Sequence, residues 1–227
     1  SHDTMQLGTS GGSVNNHYAQ EFRLRMGLSD FVNDDTGLTP HASLQWLEAQ
    51  GRYLEESKKW TLENLRFLQV KSLFPRNAVQ KDISWGFDFN YLTPHDLSCE
   101  SCNVMHIEGS VGEAWSSNTG LIYGIFISGY IDGGSILNNG YRLGPSIDLE
   151  AVYEFTKRFK THLLVREVFD ADLAGRAERR SAFTDITLEQ GWTLSKKLDL
   201  RFKARIIPGD GDAAAYSELM AGGNYYF

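Results

Sequence analysis

Nowhere does this 227-residue chain hold the run of about 18–20 apolar residues that a membrane-spanning helix requires. Its longest apolar stretch, LIYGIFISGYI at 121–131, is interrupted by two glycines and a serine. Cysteines number two and prolines five, against 22 glycines. Basic residues are in the minority, with 22 Lys and Arg against 29 Asp and Glu for a formal charge of -7, and they form no stripe. That balance weighs against sequence-independent nucleic-acid binding. No phosphate-cradling glycine motif occurs, and DGGS and PGDG read as turns. What is present is apolar material: 41% hydrophobic and 12% aromatic residues. This is too much for a disordered chain and enough for one extended domain covering 1–227. A membrane-spanning β-barrel also survives these exclusions, because its average composition is hydrophilic.

Strand alternation is the clearest positive signal. In ISWGFDFNYL, Ile83, Trp85, Phe87, Phe89 and Tyr91 share one parity, and Ser84, Gly86, Asp88 and Asn90 the other. A period of two sends the sets to opposite faces of a strand. The same rule places Leu198, Leu200, Phe202, Ala204 and Ile206 opposite Asp199, Arg201, Lys203 and Arg205. It also places Phe22, Leu24, Met26 and Leu28 opposite Glu21, Arg23, Arg25 and Gly27. Reading outward between turn-rich segments predicts strands at 5–12, 18–31, 42–54, 60–72, 83–92 and 103–115. Six more are predicted at 121–131, 141–155, 161–170, 181–194, 198–207 and 214–227. The third and fourth lack clean alternation, which bulges or a shifted register would cause. GRYLEESKKWTLENLRFL is the best helical candidate in the chain.

The expected fold is all-β: a closed antiparallel up-and-down transmembrane β-barrel of about twelve strands. A soluble lipocalin-like barrel also alternates, with its polar face outward. Two features favour the membrane form. The polar faces carry dense charges (Glu21, Arg23, Arg25, Asp88, Asp185, Glu189, Arg201, Lys203, Arg205) suited to a lumen where charges pair across strands. The final strand sets Leu219, Ala221, Gly223, Tyr225 and Phe227 on one parity, and the sequence stops at Phe227. This resembles the C-terminal assembly signal of bacterial outer-membrane proteins, with Tyr225 and Phe227 as its carriers. Trp60, Trp115, Trp192 and Tyr225 fall toward strand ends, where aromatic girdles belong. With both chain ends in the periplasm, 156–160 and 195–197 become periplasmic turns, while 132–140, 171–180 and 208–212 face outward. The longer loops around Asp34 and Pro75 would then also be periplasmic, where short turns are the rule.

EFRLRMGLSDFVNDDTGLTPHASLQWLEAQGRY resembles the start of the C-terminal barrel in a group of Gram-negative proteins of unknown function. In that group a Leu- and Arg-rich strand leads into a D-x-x-G-x-x-P loop, matched here by Asp34, Gly37 and Pro40. The segment LRFLQVKSLFPRNAVQKDISW is similar to the group's V-x-S-L-x-P-R segment leading to Ser-Trp. The matches are Val70, Ser72, Leu73, Pro75, Arg76, Ser84 and Trp85. GEAW, LIYG, LGP, the terminal NYYF and the opening SHDTMQLG fit as well. Members carry an upstream periplasmic domain resembling the lipoprotein N-acyltransferase Lnb, with a Cys/His catalytic pair. The resemblance therefore implies an excised or processed barrel that anchors such a domain. The implied partners are outer-membrane lipid, the barrel-assembly machinery and that upstream domain, in the bacterial outer membrane. Neither the domain nor a signal peptide is in the sequence, so no catalytic residue transfers.

Little else points to chemistry. Cys99 and Cys102, in DLSCESCN, could be a redox pair, half a zinc site or a short-loop disulfide. Zinc needs about four ligands, and only His95 and His106 are near in sequence. A thioredoxin-like pair needs a helix start that this setting lacks. A disulfide suits an oxidising envelope. His106, Glu108 and Ser110 share a parity, but residues two apart on a strand are separated by about 7 Å, too far for a direct Ser–His bond. Asp34 with Asp35, and Asp210 with Asp212, could hold calcium, although such pairs are commonly solvated turns. No catalytic residue, metal or cofactor is assigned. A small channel or a lipid-modifying enzyme stands as the alternative to an anchor.

Overall fold

The computed structural model describes residues 5–27, 30–33, 41–76, 82–97, 99, 102–137, 139–169, 182–209 and 215–227. Twelve strands follow in order: β1 Met5–Val14, β2 His17–Met26, β3 Ala42–Leu54, β4 Lys59–Ser72, β5 Ser84–Leu92 and β6 Val104–Ser116. The second half is β7 Leu121–Gly133, β8 Tyr141–Thr156, β9 Phe159–Phe169, β10 Ala182–Ser195, β11 Leu198–Ile207 and β12 Tyr216–Tyr226. Each pairs antiparallel with its sequence neighbours, and β1 pairs with β12 to close the barrel. Closure leaves no sheet edge, the condition for a sheet to cross lipid. Met5 and Phe227 exchange backbone hydrogen bonds of 3.4 and 3.0 Å, so β1 begins beside the end of β12. The end of the barrel that holds them is called here the terminal end.

The alternating residues explain the two surfaces. Phe22, Leu24, Trp85, Phe87, Ile107, Ile127, Leu149, Leu200 and Leu219 are exposed on the outside. Arg25, Glu48, Glu108, Asp148 and Glu150 are buried within. This is the inverse of a soluble barrel, whose apolar face turns inward. Trp60, Trp192 and Tyr225 stand exposed near strand ends, and Trp115 stacks on Tyr123 at 5.7 Å. The β1–β2 turn uses Asn15 and Asn16 at φ of 49° and 69°, the left-handed pair that matches strand twist in a two-residue hairpin.

Irregular alternation in β3 and β4 comes from bulges. Leu47 takes φ of 47°, and register shifts occur at Gln50/Gly51 and Arg66/Leu68. An extra residue changes which parity faces inward. Gln45 and Glu48, of opposite parity, consequently both accept hydrogen bonds from Arg66 Nη1, at 2.6 and 3.4 Å. GRYLEESKKWTLENLRFL forms the β3–β4 hairpin, not a helix.

One expected boundary is corrected. β2 stops at Met26, not Phe31, and residues 30–33 turn into the barrel. The cause is electrostatic: Asp30 bridges Arg25 on β2 at 2.8 Å and Arg201 on β11 at 3.0 Å. The β4–β5 connection also folds inward, with Leu73 fully buried and Pro75 bridged to Ala114. The length of these terminal-end loops is used in part to fill the barrel. Leu28, Asp34, Asp35, Gly37, Pro40, Asp210, Asp212 and the 171–180 loop lie outside the described residues, and with them the calcium candidates and part of the loop motif.

Candidate functional site

Among the described residues, three extended ion-pair networks lie in the lumen, with smaller pairs beside them. The first centres on Arg52, which is 2% exposed. Its Nε donates to Glu21 Oε1 at 2.7 Å, and its Nη1 lies 3.1 Å from Glu63 and donates to the Tyr216 hydroxyl at 2.9 Å. Its Nη2 donates to Glu218 Oε2 at 2.7 Å, and Lys203 meets the other oxygen of Glu218 at 2.8 Å. The second joins Arg25, Asp30, Arg201 and Asp199, with Arg201 also donating to Asn33. Tyr226 donates to Asp199 at 2.5 Å, and Arg23 donates to Asn224 at 2.8 Å. In the third, Arg166 donates to both oxygens of Glu108 at 2.7 Å and to both of Asp148 at 2.9 Å. Arg66 pairs with Asp88 at 3.3 Å, Arg205 with Asp185 at 2.7 Å, and Lys71 with Glu150 at 2.5 Å. Buried charges of this kind persist only when paired and hydrogen-bonded.

Glu21, Arg23, Arg25, Asp88, Arg201, Lys203 and Arg205 all line a cavity of ≈ 400 Å³ in this lumen. The pairings join them mainly to residues that sequence patterning left unassigned: Arg52, Glu63 and Arg66 on the bulged strands, and Asp30 on the inward loop. Arg142, Asp148 and Glu150 carried a legible signal, since they share one parity of the cleanly alternating β8. Tyr225 and Phe227 are exposed at the terminal end with their rings 6.3 Å apart.

Residues 30–33 cross the lumen. Phe31 reaches His162 on β9 with ring centroids 5.2 Å apart. Val32 packs so closely on Gly191 of β10 that a Cβ there would lie 2.5 Å from its carbonyl oxygen. Burial raises the Asp30 carboxyl, but Arg201 and Arg25 outweigh it and hold the group well below the usual carboxylate range. Phe31 packs on Leu73, Ala114, Ile122, Phe126 and Val152, an inward apolar cluster at the terminal end. Outside this layer lies a second cavity of ≈ 280 Å³, lined in part by Phe31, Leu73, Ile122 and Val152. The two cavities share no lining residue among those described.

The candidates for chemistry resolve differently. His106 Nδ1 lies 2.5 Å from Asp132 and Nε2 3.5 Å from Glu108. Among the described residues Ser110 makes no hydrogen bond to it, so the Ser–His contact of a hydrolase is not formed there. Cys99 and Cys102 are joined in a disulfide with Cα atoms 5.6 Å apart, which removes them as free thiols.

An apolar, aromatic exterior around a closed charged interior defines a transmembrane β-barrel of the outer-membrane class. Within that class the chain belongs to the family described as Domain of unknown function (DUF7840), whose model matches residues 1–226. No curated protein sequence matches. The fold is similar to the NanC porin at a TM-score of 0.57 and 10% identity, covering 97% of this chain and 99% of that one. An outer membrane channel from Pseudomonas putida F1 gives 0.57 and 11%, covering 100% and 96%. The KdgM porin in complex with disordered oligogalacturonate gives 0.53 and 9%, covering 98% and 99%. At these identities the likeness concerns the fold.

Proposed function

We propose that this barrel sits in the bacterial outer membrane as a closed, non-catalytic anchor for a periplasmic domain preceding it in the parent polypeptide. The terminal end faces the periplasm in this reading. The observation that carries it is the chain's own segment 30–33, which spans the lumen and joins the apolar layer at that end. A solute pathway would need that space. Two further points support the reading. β1 starts at the same end, beside Phe227, so a preceding domain would emerge at the closed face. The resemblance described above supplies the character of that domain, an Lnb-like fold. Tyr225 on the last strand and Phe227 just after it, both exposed, serve as the element read by the barrel-assembly machinery. A channel is the second reading, favoured by the polar cavity of ≈ 400 Å³ and by the porin-like fold.

The anchoring role is tested by fractionating cells that make the parent polypeptide with or without residues 1–227. Retention of the preceding domain in the outer-membrane pellet only when the barrel is present supports the anchor. Equal sedimentation of both forms overturns it.

A further inference from the structure

Between β5 and β6, residues 93–97 leave the wall at the end opposite the termini and reach across the mouth. Their base is fixed first. Thr93 N–H donates to the Glu63 carbonyl at 3.0 Å and its hydroxyl to the Leu62 carbonyl at 2.8 Å. Asn103 Nδ2 donates to that same Leu62 carbonyl at 2.9 Å and to Thr93 Oγ1 at 3.0 Å. The short 3-10 turn His95–Leu97 then contacts β4 beside this base and two distant walls, β8 and β12. His95 Nε2 lies 3.0 Å from Glu63 Oε2, and its ring stacks on Tyr216 with centroids 4.1 Å apart and planes at 16°. Asp96 accepts from Arg142 Nη1 at 2.5 Å and Nη2 at 3.2 Å.

Glu63 is on β4, Arg142 on β8 and Tyr216 on β12, strands that divide the twelve-strand ring into thirds. A segment of five residues therefore ties together three evenly spaced walls. Thr93, Pro94, His95 and Asp96 also line the ≈ 400 Å³ cavity. Both wall contacts are local: they can be broken without unpairing a strand. The Cys99–Cys102 disulfide follows the anchored turn in sequence.

We propose that residues 93–97 form a strap across the opposite mouth, held by His95 and Asp96, and that lifting it speeds the entry of small polar solutes into the lumenal cavity. Opening is then a local event governed by two latches. This goes beyond the anchoring role, and the two can fail separately: anchoring is read by fractionation, the strap by access.

Thr187 lines the cavity on β10, away from the strap's contacts, and accommodates a reporter thiol. The detergent-folded barrel carrying Thr187→Cys is treated with a trimethylammonium methanethiosulfonate, alone and combined with His95→Ala and Asp96→Asn. Released latches are expected to speed labelling by about tenfold or more. Asp96→Glu, which keeps the carboxylate, should stay closer to the parent rate than Asp96→Asn. Folding of each variant is checked by its heat-modifiable gel mobility, and Arg142→Gln tests the same latch from the wall if the double variant does not fold. Equal labelling of latched and unlatched barrels, whether both fast or both slow, overturns the proposal.

Discussion

Phe31 lies on the loop between β2 and β3, yet its ring sits 5.2 Å from the imidazole of His162 on β9, half-way round the barrel from β3. The contact requires the loop to enter the lumen, where Asp30 meets Arg201 and Val32 meets Gly191. The inward loop is thus secured electrostatically at one residue and by close backbone packing at another.

Gly191→Ala tests that packing. Its new Cβ would stand 2.5 Å from the Val32 carbonyl oxygen and 3.0 Å from the Val32 Cβ, so the segment must shift. The expected cost is about 1–3 kcal/mol by equilibrium unfolding in lipid vesicles. Gly109→Ala is the control, since a Cβ there meets nothing within 4 Å. Equal stability of the two variants would contradict the close approach.

Arg52→Met removes the hub of the first network and leaves Glu21, Glu63 and Glu218 facing one another around an apolar side chain. Loss of one partner from a buried set costs about 3–5 kcal/mol. Adding Glu21→Gln should restore part of it, with a coupling of about 0.5–3 kcal/mol in a double-mutant cycle. Strictly additive losses would mean that the two side chains do not act as a pair.

Ile127, near the middle of β7, is 67% exposed on the outer face. Ile127→Arg should destabilise the folded barrel in vesicles by about 2–4 kcal/mol, the cost of a cation at the bilayer midplane. A change under about 0.5 kcal/mol would place that face in water.

His95 gives a pH-dependent signature outside the spanning strands. Burial pushes its imidazole pKa below the ordinary value. The Glu63 hydrogen bond from β4 opposes this, while Arg205 on β11 and Arg52 on β3 add to the lowering. The uncharged Tyr216 ring on β12 stacks on it. A depressed histidine favours the neutral form in the fold. Acidification below about 6.5 therefore protonates the unfolded chain first and weakens the folded state until the lower folded midpoint is passed. An NMR titration of His95 should show a midpoint under about 6.5, and Glu63→Gln should lower it further. A midpoint at or above the ordinary value would contradict a buried, neutral ring.

Much of the wall was legible from alternation, because in β5, β7 and β11 side-chain parity alone decides lipid or lumen. β3 and β4 resisted for a local reason: the left-handed Leu47 and the register shifts reset the parity, hiding Arg52, Glu48 and Arg66 as inward residues. At 30–33 the sequence marks only the end of β2, since Asp30 falls on its apolar parity and Phe31 on its polar one; the inward course of the segment was not legible. What bends it in is Arg201, 171 residues from Asp30 in sequence. The strap is equally non-local, depending on Arg142 and Tyr216 from walls that only closure of the barrel brings near His95 and Asp96.

Single-channel recording in planar bilayers tests the closed lumen most directly. The reconstituted barrel should insert without stable conductance steps, because residues 30–33 and the apolar layer around Phe31 occupy the terminal end. Regular steps of defined size from the unmodified barrel would contradict the account and establish the channel reading in its place.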